Sequence, residues 1–145
     1  MPNPDTQDPQ LKHYDDYKAR LINFALAHEI EVRFVPGGED AWLPAKRIIR
    51  IDEEQSDVDK IASLLHELGH AIDELTNINE KKIAELEDAY KVVYTAKRIS
   101  SKRKRTVLSH ERKAWKIGRA IAKVLKIRLG KWYTDIEHRC LEAYK

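Results

Sequence analysis

A single cysteine, Cys140, stands in the 145 residues, so no internal disulfide can staple the fold and the chain suits a reducing cytoplasm. Its expected place is core packing near the C-terminal end. No run of 18 or more apolar residues occurs, which excludes a membrane-spanning helix. Met1 to Gln10 hold three prolines and no apolar stretch, unlike a secretory signal. Residues 1–9 are therefore expected to be a flexible lead-in, and residues 10–145 a single domain. Hydrophobic residues make up 42% of the chain, enough for one core, and charged residues 35%, which implies well-solvated helix faces.

What is present is concentrated in one place. His66, Glu67, Leu68, Gly69 and His70 spell His-Glu-x-x-His, a spacing that chance placement would produce only about 0.02 times in such a chain. Val58, Ile61, Leu65, Leu68, Ile72 and Leu75 recur around it at intervals of three and four, so the stretch reads as one amphipathic helix. Ser56 with Asp59 provides its N-terminal cap, and Asp57 and Asp59 put negative charge in the first turn. Residues four apart on a helix lie one above the other, so His66 and His70 can turn ring nitrogens toward one zinc ion. Glu67, one step round, can take a proton from a water that the ion activates. Two histidines at the edge of a buried face are ordinarily hydrogen-bonded core residues, but a Glu in the same turn would then need a partner of its own. Gly69 costs the helix about 1 kcal/mol relative to Ala and is easier to explain if something approaches the backbone closely.

The run from Leu64 to Asp73 resembles the active-site helix of zincin-fold metallopeptidases, in particular compact gluzincin-like and ImmA/IrrE-like proteins carried by phages. The resemblance covers roughly residues 20 to 127. It implies an α+β fold, mostly helical with a small β-sheet, in which a Glu on a later helix completes the zinc site. Glu111 matches that position, in a Glu-x-x-Ala-Trp run that opens a helix. A catalytic zinc keeps three protein ligands and one open position, and the first helix supplies two. Glu74 falls past the ion, and Asp73 reads as a group orienting a ligand histidine. Glu85, Glu87, Asp88 and His110 are competing ligands, and Glu111 also suits a first helical turn for its charge alone.

Elsewhere the pattern is simpler. Asp8 and Pro9 open a first helix whose inner face is Leu11, Tyr14, Leu21, Ile22 and Ala25. Ile30, Val32 and Phe34 alternate with polar residues as a strand that Pro36-Gly37-Gly38 ends, and Arg47 to Ile51 forms a second strand after a loop through Trp42 and Pro44. The resemblance gives part of residues 41 to 51 the role of an edge that pairs with extended substrate. Asn79 caps a helix from Glu80 to about Ile99, carrying Ile83, Leu86, Tyr90, Val93 and Tyr94. Tyr90, Tyr94 or His110 is a candidate donor to the developing oxyanion. Ala114, Ile117, Ile121, Val124 and Leu125 mark the next helix, stopped by Gly130, and Thr134 with Glu137 caps a last one from Asp135.

Lys97, Arg98, Lys102, Arg103, Lys104 and Arg105 crowd six positive charges into nine residues of a chain whose net charge is +3. Such a run ordinarily forms a solvated loop; its functional reading is contact with nucleic-acid phosphates or an acidic protein partner. No aromatic residue interleaves it, so base stacking is not indicated. The expectation is a zinc metallopeptidase that hydrolyses a peptide bond in a protein substrate, with His66, His70 and Glu111 on Zn2+ and Glu67 as general base. The rivals are a SprT-like DNA-associated protease that docks nucleic acid through the basic run, and a non-catalytic zinc-containing regulatory protein.

Overall fold

The computed structural model describes residues 12–77, 80–95 and 101–145. Five helices and three strands occur among them: α1 (Tyr14–Ala27), β1 (Glu31–Val35), β2 (Ala41–Leu43), β3 (Ile48–Asp52), α2 (Asp57–Asn77), α3 (Glu80–Thr95), α4 (Ser101–Val124) and α5 (Lys131–Glu142). The class is α+β and mostly helical. No helix among the described residues is long and apolar enough to cross a membrane.

The sheet runs in the order β1-β3-β2, with β1 parallel and β2 antiparallel to β3. Ile49 and Ile51 are fully buried in the middle strand, while Val32 and Phe34 of β1 face inward at alternate positions. Gly37 turns the chain out of β1 at φ +70°, a conformation open to glycine, and its N–H donates to Asp52 at 2.9 Å. β1 lies on α1, and β2 and β3 lie on α2.

α2 begins as its sequence requires. The Ser56 hydroxyl accepts the Asp59 N–H at 3.2 Å and donates to the Asp59 carboxylate at 2.8 Å. Its buried face then carries Ile61, Leu64, Leu65 and Leu68 into the core. The main partner is α4, and two glycines set how closely the helices cross. A Cβ on Gly69 would stand 2.1 Å from the Ala114 carbonyl oxygen, and one on Gly118 2.8 Å from that of Leu65. What approaches Gly69 is therefore the backbone of α4. At the far end of α4, the Arg20 guanidinium donates to the carbonyls of Leu125 and Lys126 at 3.1 and 3.2 Å, so α1 satisfies acceptors that the helix end leaves open. Tyr133 of α5 is fully buried, and its hydroxyl donates to the Trp115 carbonyl at 2.8 Å.

Several local expectations need correction. A third strand, β2, occupies part of the expected loop through Trp42. Lys102 to Arg105 form the opening turns of α4 instead of a loop, because the helical pattern of its later half extends back through Val107. Glu111 accordingly lies well inside that helix and not in its first turn. α4 ends at Val124, and Gly130 precedes α5 as its N-cap; α5 starts at Lys131, so Thr134 and Glu137 do not cap it. Leu75 and Val124 fall off the buried faces at 43% and 74% exposure. Cys140 is exposed and not packed in the core. Asp8, Pro9, Leu11, Asn79, Lys97, Arg98 and Ile99, and the side chains of Val93 and Tyr94, lie outside the described residues.

Candidate metal centre

His66 and His70 stand one turn apart on α2, and Glu111 meets them from α4 at the level of the glycine crossing. His66 Nε2 lies 2.7 Å and His70 Nε2 2.8 Å from the same oxygen, Glu111 Oε2. The donor atoms of the three residues all lie within 4.8 Å of one another. Glu111 is 5% exposed. Burial alone would raise its carboxyl, yet the hydrogen bonds from His66 and His70 prevail and hold it well below the usual carboxylate range. An ionised carboxylate is thus fixed against two imidazoles in a nearly dry place. Two imidazole nitrogens and one carboxylate oxygen are a donor set that zinc accepts, and no fourth His, Cys, Asp or Glu joins the group among the described residues.

The neighbours hold these side chains in place. Trp115 stacks on the His66 ring at 4.5 Å between centroids, with the planes 11° apart. The His110 ring lies 4.5 Å from that of His70. Tyr90 donates its hydroxyl to Glu111 Oε1 at 3.0 Å and meets His110 Nδ1 at 2.8 Å. One carboxylate oxygen therefore faces the histidines and the other faces a phenol. Burial, reinforced by His70, pushes the His110 imidazole down to about 4, so it is neutral at pH 7. Asp73 does not hold a ligand histidine as expected. It is 2% exposed, pairs with Lys113 at 2.8 Å and lies 3.8 Å from His110 Nε2.

Replacing Tyr90 by Phe removes the bond that orients Glu111 while keeping the ring. If the three donors hold zinc, its affinity should fall about tenfold or more, as for other partners of metal ligands, with little change in the fold. Competition with a chromophoric chelator measures this, and an unchanged affinity would show that Tyr90 has no such role.

Glu67 sits beside the group without belonging to it. Its side chain is buried, accepts a hydrogen bond from the Trp42 backbone, and approaches His66 Nδ1 no closer than 3.6 Å. Burial pushes its carboxyl up to about 7, against the opposing pull of His70. That is a suitable poise for a group that must both take and return a proton. β2 owes its position over the site to Trp42, whose indole N–H donates to Glu74 Oε2 at 2.8 Å. Glu74 is engaged there and is not part of the cluster. A cavity of about 660 Å³ opens over the three residues, with Asp40 to Trp42 on one rim and Cys140 and Tyr144 on the other.

Of the residues singled out by sequence, the structure brings together His66, Glu67, His70 and Glu111, with Tyr90 and His110 around them. Glu85, Glu87 and Asp88 lie elsewhere on α3, outside the cavity. Lys102, Arg103, Lys104 and Arg105 are exposed, and Arg103 pairs with Asp88 at 3.2 Å. Trp42 lies within the stretch 41 to 51 to which the resemblance gave an edge role, but its own pattern placed it in a loop, since a three-residue strand is too short to show alternation. No known protein family, curated protein or solved structure matches this chain.

Proposed function

We propose that the chain is a zinc-dependent peptidase of the zincin kind, and one observation carries this reading. Three zinc-compatible donors converge while a second carboxyl group, that of Glu67, is buried at their side and kept off them. A site that serves only folding is normally closed by four protein ligands, whereas a catalytic site keeps a position open. His66, His70 and Glu111 would hold the ion. When bound, zinc supplies a Lewis acid that polarises the scissile carbonyl and makes water acidic enough to attack near neutral pH.

The remaining steps belong to the chain. Glu67 receives the proton of the attacking water and passes it to the leaving amine, so the same carboxyl serves as base and then acid. β2 is an edge strand at the cavity rim and offers backbone groups to an extended substrate, so the peptide is held by strand pairing. Tyr90 and His110 act by positioning, because the Tyr90 hydroxyl holds Glu111 and the His110 ring braces His70.

The direct test incubates the zinc-loaded chain with a denatured protein mixture and sequences the new N-termini that appear. Cleavage that stops with a chelator and returns with zinc supports the reading. Zinc-loaded protein that generates no new termini would argue for a non-catalytic role.

A further inference from the structure

Two residues of the basic run, Lys102 and Arg105, help to form one wall of a groove. Lys102, Arg105, Ser109 and Lys113 recur at intervals of three and four along α4, so they share a face. That face and α3, which contributes Glu85 and Leu86, enclose about 450 Å³. The groove ends on Asp73 and His110. His110 also lines the cavity of the metal centre, so the two depressions adjoin across one side chain.

The charges in the groove are not balanced. Lys113 is neutralised by Asp73 at 2.8 Å. Among the described residues Lys102 and Arg105 have no ion pair, and Glu85 is the one other acid in the lining. Along the helix axis, Arg105 and Lys102 stand about 9 and 14 Å from Glu111. An extended peptide covers that span in about three to four residues.

We propose that this groove seats an acidic stretch of the substrate, so that the peptidase acts on polypeptides with Asp or Glu a few residues from the cut. The proposal rests on the peptidase reading for its consequence, but not for the binding itself. A peptide suits the groove better than a nucleic acid does. Glu85 repels a backbone charged at every unit, whereas a peptide can set a neutral residue against it and acids against Lys102 and Arg105. Among the described residues no aromatic side chain lines the groove, so bases find nothing there to stack on.

The test uses the full zinc-loaded chain carrying Glu67→Gln, so that a bound peptide survives. Three labelled probes are titrated by fluorescence polarisation at low salt: a Glu-Gly repeat peptide, its Gln-Gly counterpart and a thymidine oligonucleotide of equal charge. The Glu-Gly peptide is expected to bind about tenfold tighter than the Gln-Gly peptide. The double substitution Lys102→Gln, Arg105→Gln should remove that advantage, and Lys123→Gln, at the other end of α4, should keep it. Equal binding of the two peptides, an equal loss with Lys123→Gln, or tighter binding of the oligonucleotide would overturn the proposal. Because both substituted residues are exposed, unchanged circular dichroism verifies the fold. A chain that binds the acidic peptide but holds no zinc would sink the peptidase reading and leave the groove standing; zinc without peptide binding would do the reverse.

Discussion

Glu67→Gln is expected to leave zinc bound and to cut hydrolysis about 10³- to 10⁴-fold. The substitution keeps size and hydrogen bonding but removes the ability to take a proton. None of the three converging donors is altered, since Glu67 lies beside the group. Binding of an extended peptide should also persist, as the Gln carbonyl oxygen can still accept the Trp42 N–H of β2, so the loss should appear in kcat and not in KM. Steady-state kinetics on a substrate found in the cleavage assay, together with metal analysis of the same preparation, checks both halves. Turnover within tenfold of the unsubstituted chain would assign the proton transfer elsewhere.

The second large effect is structural and comes from a residue with no side chain. Gly69→Ala should improve α2 by about 1 kcal/mol on helix propensity alone, and yet destabilise the protein. The added Cβ would sit 2.1 Å from the Ala114 carbonyl oxygen, which is backbone and cannot rotate aside. The helices must part, at a cost of about 3 kcal/mol or more, or about 10 °C in Tm for a domain of this size. Because Gly69 lies between His66 and His70, and Ala114 one turn from Glu111, the same parting pulls the donors apart. Zinc affinity should therefore fall along with stability. Gly118→Ala, at 2.8 Å from the Leu65 carbonyl oxygen, should show the same direction with a smaller size. Thermal melts with and without zinc measure both, and a Gly69→Ala chain as stable as the parent would refute the close crossing as the organiser of the site.

The parts of the structure that the sequence made legible are those where chemistry and periodicity coincide. His66 and His70 lie on a helix whose apolar stripe, from Ile61 through Leu68, is buried as its spacing requires. Ser56 caps that helix, and β1 and β3 fall where alternation and β-branching put them. Glu111 reached the histidines from 41 residues away, a pairing that no local pattern reveals and that only a family resemblance suggested. Less legible were features fixed by tertiary contact. β2 exists because Trp42 reaches Glu74 and its backbone pairs with β3. The start of α4 is charged and lacks a buried residue before Val107, so no apolar stripe marked it as helix. Asp73 was expected to face a ligand histidine, but Lys113 on α4, eleven residues beyond Lys102, draws its carboxylate toward His110. Gly118 gave no sign in the sequence because a close helix crossing leaves no periodic trace.

All of the chemistry depends on whether the three donors hold a metal. The most direct measurement is the zinc content of the chain purified without added metal and dialysed against a weak chelator, beside His66→Ala, His70→Ala and Glu111→Ala. The account predicts about one zinc ion per parent chain and loss of the metal in each variant. Zinc retained in full by the Glu111 variant, or a parent chain that binds none when zinc is supplied, would contradict it.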